Sequence, residues 1–453
     1  MNRAWIAGLG RTPLLPLALA MLGMLHPAGA ARASLLSPIV KGPFLQRLGS
    51  TTAVIGVEVD PPQPVAMTLD GDAGPRPPPS PDATAFHTFA LADLEPGRRY
   101  AYTVRAGGAR KTGTFTTAPR EGEAAEFRFL LYGDTRSDAT AHAEVVRAMQ
   151  SHPASFMINT GDLVANGEIA AEWQEFFDIE TPLLRDRPLF AAVGNHELTD
   201  RDATLFLRYF PPDERAKPGE RPLLHGTFRW GNARFFLVNA MDSWADGKEK
   251  AWLSAALERA VAEPGLKWRV AVMHHGPWSS GPHGGNRPLH DAGVVGLLRK
   301  HKVDLVAAGH DHLYERGESE GTRYVVTGGG GAPGYAVKAK LATTRKLETA
   351  RHFIAARVTA DAFTLSAHRA DGSLVETCGF GKKEGWDCDP APAPERPPTQ
   401  AGPPVLADAP ASGGATRCGC HVAGAPSPAA LPLVGGLALL LARRALRRRA
   451  RTR

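Results

Sequence analysis

Cysteine is nearly missing from this chain, with four residues in 453. Cys418 and Cys420 share a CGC motif near the end, and Cys378 and Cys388 lie ten positions apart. No cysteine falls among the strand-end motifs that carry metal-type ligands, which argues against a structural zinc site built on thiolates there. Apolar runs long enough to span a bilayer are also missing from both ends. The stretches 14–25 and 431–442 fall short of the roughly 20 residues a spanning helix needs. A basic surface is lacking too. The formal charge of +7 is matched by seven arginines between Arg443 and Arg453, which leaves the rest near neutral. No nucleic-acid surface is evident. The glycine-rich run TGGGGAPGY, residues 327–335, lacks the GxxxxGK[ST] spacing of a phosphate-binding P-loop. It is expected to form a tight turn instead.

The two ends read as processing segments. Arg3 and Arg11 precede the first apolar stretch, and small residues follow it, so 1–33 has the pattern of a secretory signal. The protein is expected to be exported, and in that setting Cys378 and Cys388 are expected to form one disulfide. Residues 389–417 are rich in Pro, Ala and Gly and form a linker without a core. Residues 418–453 combine the CGC motif, the second apolar stretch and an arginine tail.

Between the ends lie two folded regions. Residues 37–119 alternate short β-type runs such as TTAVIGVEV and RRYAYTVRAG with Pro/Gly turns, the pattern of a small all-β sandwich. From 124 to 380 the rhythm changes to apolar strands separated by helical stretches at 139–150, 170–181, 248–262 and 292–302. That alternation predicts a layered α/β domain. The segment FIAARVTADAFTLSAHRADGSLVET predicts a closing hairpin.

The strands of the second region end in metal-type ligands. FRFLLYGD delivers Asp134, SFMINTGD delivers Asp162, and PLFAAVGNHE delivers Asn195, His196 and Glu197. WRVAVMHHG delivers His274 and His275, and VDLVAAGHDH delivers His310 and His312. Strand C-termini are where α/β folds gather ligand groups. Imidazole and carboxylate donors suit iron, manganese or zinc. The set is too large for one ion, and a bridging carboxylate would hold two ions roughly 3.5–4 Å apart.

GDTR, GDLVANG, GNHE, VMHHG and GHDHLYER resemble, in order, the signature blocks of the calcineurin-like metallophosphoesterases. GHDHLYER looks most like the purple acid phosphatase branch. GPFLQ, LADLEPGRRYAYTV and FTTAP resemble the fibronectin type III-like domain that precedes the catalytic domain there. The C-terminal order resembles the MYXO-CTERM sorting signals, which implies cell-surface or outer-membrane anchoring through Cys418 or Cys420. The resemblance implies a four-layer α/β/β/α core and a two-metal, acid phosphatase-like hydrolase. It implies attack by a metal-bound water or hydroxide on a phosphate monoester. A phosphodiesterase and a non-catalytic binding protein are the alternatives.

By the same resemblance, Asp134 and His312 would bind the first ion, Asp162 would bridge, and Asn195 and His310 would bind the second. His275 would complete the second site, because His275-Gly276-Pro277 keeps the family spacing; His274 is the alternative. His196 would contact the phosphate and protonate the leaving oxygen. Glu197 would orient His196, or serve as a plain turn charge. His283, in a Gly-rich loop, would touch substrate or remain solvated. Tyr314 and Arg316 would pack beneath the site.

Two departures stand out. Ala165 replaces the tyrosine of purple acid phosphatases, so the charge-transfer colour is expected to be absent and ferric iron is not implied. Arg136 stands where many metallophosphoesterases carry a metal-binding histidine and purple acid phosphatases often carry glycine. A guanidinium cannot ligate, so Arg136 reads as a substrate clamp or as a salt-bridge partner of Asp138.

Overall fold

The computed structural model describes residues 37–70, 82–212, 220, 222–241, 244, 247–337, 339–382 and 385–389. The signal-like segment, the CGC motif, the arginine tail and nearly all of the linker lie outside the described residues. Among the described residues, no helix is long and apolar enough to cross a membrane.

The first region comprises β1 (Ile39–Gln46), β2 (Ala53–Val59), β3 (Val65–Asp70), β4 (Phe86–Leu91), β5 (Arg99–Ala106) and β6 (Ala109–Thr116). They form two antiparallel sheets, ordered β1-β2-β4 and β3-β5-β6. In β4, alternate residues turn inward, so Phe89 and Leu91 join Tyr102, Val104 and Phe115 in one core.

The second region runs β7 (Phe127–Tyr132), α1 (Ala139–Gln150), β8 (Phe156–Asn159), α2 (Ala170–Leu184), β9 (Leu189–Ala191) and α3 (Thr204–Tyr209). It continues through β10 (Gly226–Trp230), β11 (Ala233–Val238), α4 (Lys248–Val261), β12 (Trp268–Met273), α5 (Arg287–Asp291) and α6 (Val294–Lys300). Next come β13 (Leu305–Ala308), β14 (Tyr314–Ser319), β15 (Thr322–Thr327) and β16 (Thr344–Glu348). The described chain closes with β17 (His352–Val358), β18 (Phe363–Arg369), β19 (Leu374–Phe380) and β20 (Asp387–Asp389). Two seven-stranded sheets result, β10-β11-β12-β13-β15-β14-β16 and β20-β19-β18-β17-β7-β8-β9.

Side-chain alternation sorts these strands into layers. Phe129 and Leu131 of β7 share a core with Phe156, Phe235, Val270, Val272 and Leu305, which fills the space between the sheets. Leu130 and Tyr132 face the other way, onto Val145, Met149 and Phe176 of α1 and α2. Ala271 and Met273 of β12 face Leu253, Leu257 and Leu298 of α4 and α6. The order is α/β/β/α, with every inner face apolar. Arg316 of β14 makes a bidentate pair with Glu376 of β19 (2.8 and 3.0 Å), which ties the two sheets together. Tyr314 also donates to Glu376 (2.8 Å). Cys378 and Cys388 are joined as a disulfide across β19 and β20.

The helix reading needs two adjustments. The helix expected at 170–181 runs on through Pro182 to Leu184, with Leu183 and Leu184 buried in its last turn. The helix expected at 292–302 is the shorter α6, and an unforeseen α5 precedes it, the two separated at Gly293 with φ +73°.

The sandwich is seated on α2 and α3. Gln174 donates to the Val40 carbonyl (2.8 Å), Tyr102 to the Arg185 carbonyl (2.6 Å), and the Thr114 N–H to Asp186 (2.7 Å). Phe44 packs against Phe177 (4.7 Å between ring centres) and Tyr209 (6.2 Å).

Candidate metal centre

β7, β8 and β9 run parallel, as do β11, β12, β13 and β15. The loops at their C-terminal ends carry the predicted ligands. Asp134, Asp162 and His310 adopt φ values of +58°, +57° and +71°. That region is rare for side-chain-bearing residues, and its strain is characteristic of functional loops. A Cβ on Gly309 would lie 2.5 Å from Asp134 Oδ2, so the His310 loop can rest on that carboxylate only through glycine.

The structure gathers Asp134, Asp162, Asn195, His196, His274, His310 and His312 into one site. Asp134, Asp162 and His274 offer ligand atoms within 4.8 Å of one another. The contacts of His274 define one half. Its Nδ1 donates to the Thr160 carbonyl (3.1 Å). Nε2 then faces Asn195 Oδ1 at 3.1 Å, His310 Nδ1 at 3.2 Å and Asp162 Oδ1 at 3.3 Å. Donors about 2.1 Å from a shared ion lie roughly 3.0–3.4 Å apart, so this set fits a cation. The other half is built on His312. Its Nδ1 donates to the Pro333 carbonyl (2.7 Å), and Nε2 lies 3.5 Å from Asp134 Oδ1. Asp134 Oδ1 is buried without a hydrogen-bond partner, while Oδ2 accepts the His310 N–H (3.0 Å). Fixing one imidazole nitrogen on a carbonyl aims the other at the metal.

His274 stands where the sequence reading favoured His275. Val270 and Val272 face the other sheet while Ala271 and Met273 face the helices. The pleat therefore turns His274 toward the opposite sheet and Asp162. His275 is absent from the carboxylate cluster; its ring lies beside His310, 4.4 Å between centres.

Two further expectations are corrected. Glu197 does not touch His196. It is fully buried and accepts the backbone N–H groups of Asp162 (3.0 Å), Leu163 (2.8 Å), Val164 (3.3 Å) and Gly194 (2.8 Å). It is therefore no solvated turn charge either. The group that orients His196 is the Ala165 carbonyl, 2.6 Å from Nδ1. Its Nε2 faces Asp162 Oδ2 at 3.7 Å with the side chain 29% exposed. Arg136 does not pair with Asp138, which caps α1 at the Ala141 N–H and meets Arg351. Its Nε donates to Asp162 Oδ2 (3.0 Å), Nη1 to Ser137 (3.1 Å), and Nη2 lies 3.3 Å from His312 Nε2.

His283 lies at the rim, half exposed. Its ring is 4.3 Å from that of His310, and its Nδ1 is 2.8 Å from buried Asp311. Asp311 and Tyr335 were not singled out from the sequence. Tyr335 stacks on His312 at 4.1 Å, and the signal was its place in TGGGGAPGY. That run does form a turn on the site: Gly330 and Ala332 donate to the Gly133 and Asp134 carbonyls (both 2.8 Å).

Charge and burial oppose one another here. Burial disfavours a charged His274, but the Asp162 and Asp134 carboxylates outweigh it and lift its pKa to about 9. Burial works against the Asp162 anion, yet His274 and His196 hold its pKa well below the usual carboxylate range. His310 is pushed down to about 2 by burial and then by His274, His275 and His283. Glu197 is pushed up to about 7 by burial and by Asp162, against its backbone donors.

Comparison with known proteins matches this region. Residues 127–314 match the family described as calcineurin-like phosphoesterase. An uncharacterized protein of Mycobacterium tuberculosis is 26% identical over 268 residues, covering 50% of this chain and 49% of its own length. Purple acid phosphatase 21 of Arabidopsis thaliana is 25% identical over 263 residues (54% and 58%). "Probable inactive purple acid phosphatase 24" of the same plant is 24% identical over 312 residues (55% and 49%). The chain thus spans about half the length of the curated relatives it matches. Among solved structures, a purple acid phosphatase from yellow lupin seeds superposes with TM-score 0.61 at 17% identity, over 75% of this chain and 74% of that one. PhoD superposes with TM-score 0.63 at 13% identity, over 79% and 93%. At such identities the likeness establishes the fold, a mixed α/β metallophosphoesterase fold with a strand-rich N-terminal region.

Proposed function

We propose that this chain is an exported, metal-dependent phosphoric ester hydrolase that cleaves phosphate monoesters in the manner of acid phosphatases. The observation that carries the reading is the convergence of His274 Nε2, Asp162 Oδ1, Asn195 Oδ1 and His310 Nδ1 from four separate loops. All four atoms can present lone pairs, and a cation is what such a set accommodates. Asp134, Asp162, Asn195, His274, His310 and His312 would hold the ions, drawn from iron, manganese or zinc. Bound ions would supply charge to neutralise phosphoryl oxygens and to acidify a water.

The protein's own groups do the remaining work. Glu197 gathers the N–H groups of 162–164 and 194 and so fixes the Asp162 carboxylate. His196 keeps Nδ1 on the Ala165 carbonyl and leaves Nε2 open to the cleft, where it gives a proton to the leaving oxygen. The sandwich supports this loop at one remove. It seats α2, and Glu172 of α2 accepts the Asn166 N–H (2.8 Å) next to Ala165. The protein is held at the cell surface through Cys418 or Cys420.

The test is hydrolysis of p-nitrophenyl phosphate against its bis ester by the full chain, purified with all three metals supplied and analysed for metal content. Bound metal with faster monoester cleavage is expected. A preference for the diester would reassign the substrate class. A folded protein without metal or hydrolysis would leave a binding role. Recovery in the cell-surface fraction checks the location.

A further inference from the structure

We infer that Arg136 is a built-in cation at the first ion position, so that this centre holds one ion firmly and a second only weakly. The inference rests on reading the site as a metal centre.

The first position has three donors: Asp134 Oδ1, His312 Nε2 and Asp162 Oδ2. Arg136 engages two of them, with Nε on Asp162 Oδ2 (3.0 Å) and Nη2 beside His312 Nε2 (3.3 Å). Nη1 is anchored on Ser137 (3.1 Å), and the side chain is only 15% exposed. The guanidinium therefore sits inside the ligand shell rather than reaching outward to substrate. It is always charged and cannot ligate, so it can satisfy these acceptors but never join them around a metal. The His312 proton is on Nδ1, toward Pro333, which leaves a lone pair for the Arg136 N–H.

Asp162 shows the competition most directly. Its Oδ1 faces His274 and accepts the His196 N–H (3.1 Å). Its Oδ2 is held by Arg136. To bridge two ions, the carboxylate would have to surrender Oδ2 from the guanidinium. The incoming dication would also meet a fixed positive charge at close range. Ala165 offers no side-chain donor in compensation, and its carbonyl is already taken by His196. The second position has no permanent rival: Asn195, Asp162 Oδ1, His274 and His310 converge, and unlike the Arg136 guanidinium the proton on His274 can be displaced by a metal. A single ion would then meet the phosphate on one side of Asp162, while Arg136 neutralises the carboxylate from its other oxygen.

The experiment is Mn(II) titration of the metal-free full chain, read by equilibrium dialysis and by electron paramagnetic resonance, for wild type, Arg136→Ala and Arg136→His. Wild type is expected to take one tight Mn(II) with an isolated-ion spectrum, the second binding about tenfold or more weaker. Arg136→His, which supplies an imidazole donor, is expected to bind two ions and show exchange coupling. Arg136→Ala should strengthen the second ion by about tenfold or more. Two tight, coupled ions in wild type would overturn this inference alone. Equal second-ion affinity in all three proteins would overturn it as well. If no protein binds Mn(II) while circular dichroism shows a folded chain, the metal-centre reading fails too.

Discussion

The two halves of the metal centre use the same donor types and differ in what meets their lone pairs. Around His274, four donor atoms from four loops face one another with only a proton to share. Around His312, an arginine fork occupies two acceptors and leaves Asp134 Oδ1 buried and unmet. A ligand set is thus not defined by its residue types alone. A neighbouring cation decides whether the same carboxylate and imidazole act as metal donors or as hydrogen-bond acceptors.

The strongest way to break the comparison is to remove the group both halves share. Asp162→Ala should empty both positions and lower hydrolysis by about 10³-fold or more, as loss of several kcal/mol of charge stabilisation implies. Metal analysis and turnover should fall together. His196→Ala should leave both halves intact. Turnover is expected to drop by about 10²–10⁴-fold with metal content unchanged, and undiminished turnover would remove His196 from proton transfer.

Comparing His274→Ala with His275→Ala sharpens the assignment. The first should weaken the tighter ion by more than the about 10–100-fold typical of an outer-shell partner, and the second should leave it unchanged. Dialysis against radioactive zinc would show the reverse if His275 were the ligand.

Acidity separates the halves further. Metal must displace the proton that His274 holds up to about pH 9. Affinity at that half should therefore fall by about tenfold per pH unit below 9 and level off above it. Without metal, the raised His274 contributes stability that is full below 6.5 and lost as pH rises toward about 9. Asp162, held below its ordinary 3.8, contributes stability above that value and loses it on acidification. Melting temperatures of metal-free protein should peak between these limits. The smallest effect is expected from Glu197→Gln, which turns an amide toward backbone donors. A loss of about 1–3 kcal/mol is expected, measured by urea unfolding.

Much of this centre was legible because each ligand follows an apolar strand that ends in GD, GNH, HH or GHDH. The phase of β12 was not. WRVAVM is apolar at nearly every position and almost wholly buried, so no polar alternation says which of two consecutive histidines turns inward. Spacing to Pro277 favoured His275, and the pleat decided otherwise. The partner of Arg136 was hidden for another reason. Asp138 is close in sequence, but it is committed to capping α1, and the true partner lies on the neighbouring strand's loop. Glu197 was misplaced because adjacency to His196 suggested contact, although neighbouring side chains diverge. β14 and β16 went unread since their buried and polar residues do not separate cleanly, and β10 because its alternating run is only five residues long.

The seat of the sandwich on α2 has a consequence for how the chain could be cut or recombined. Phe44 belongs to one region by sequence, but it shares a core with Phe177 and Tyr209 of the other. The boundary near Pro119 is a joint in the polypeptide and not a seam in the packing. A catalytic half transplanted without its sandwich would carry an open aromatic face, and aggregation would mask whatever chemistry it retained.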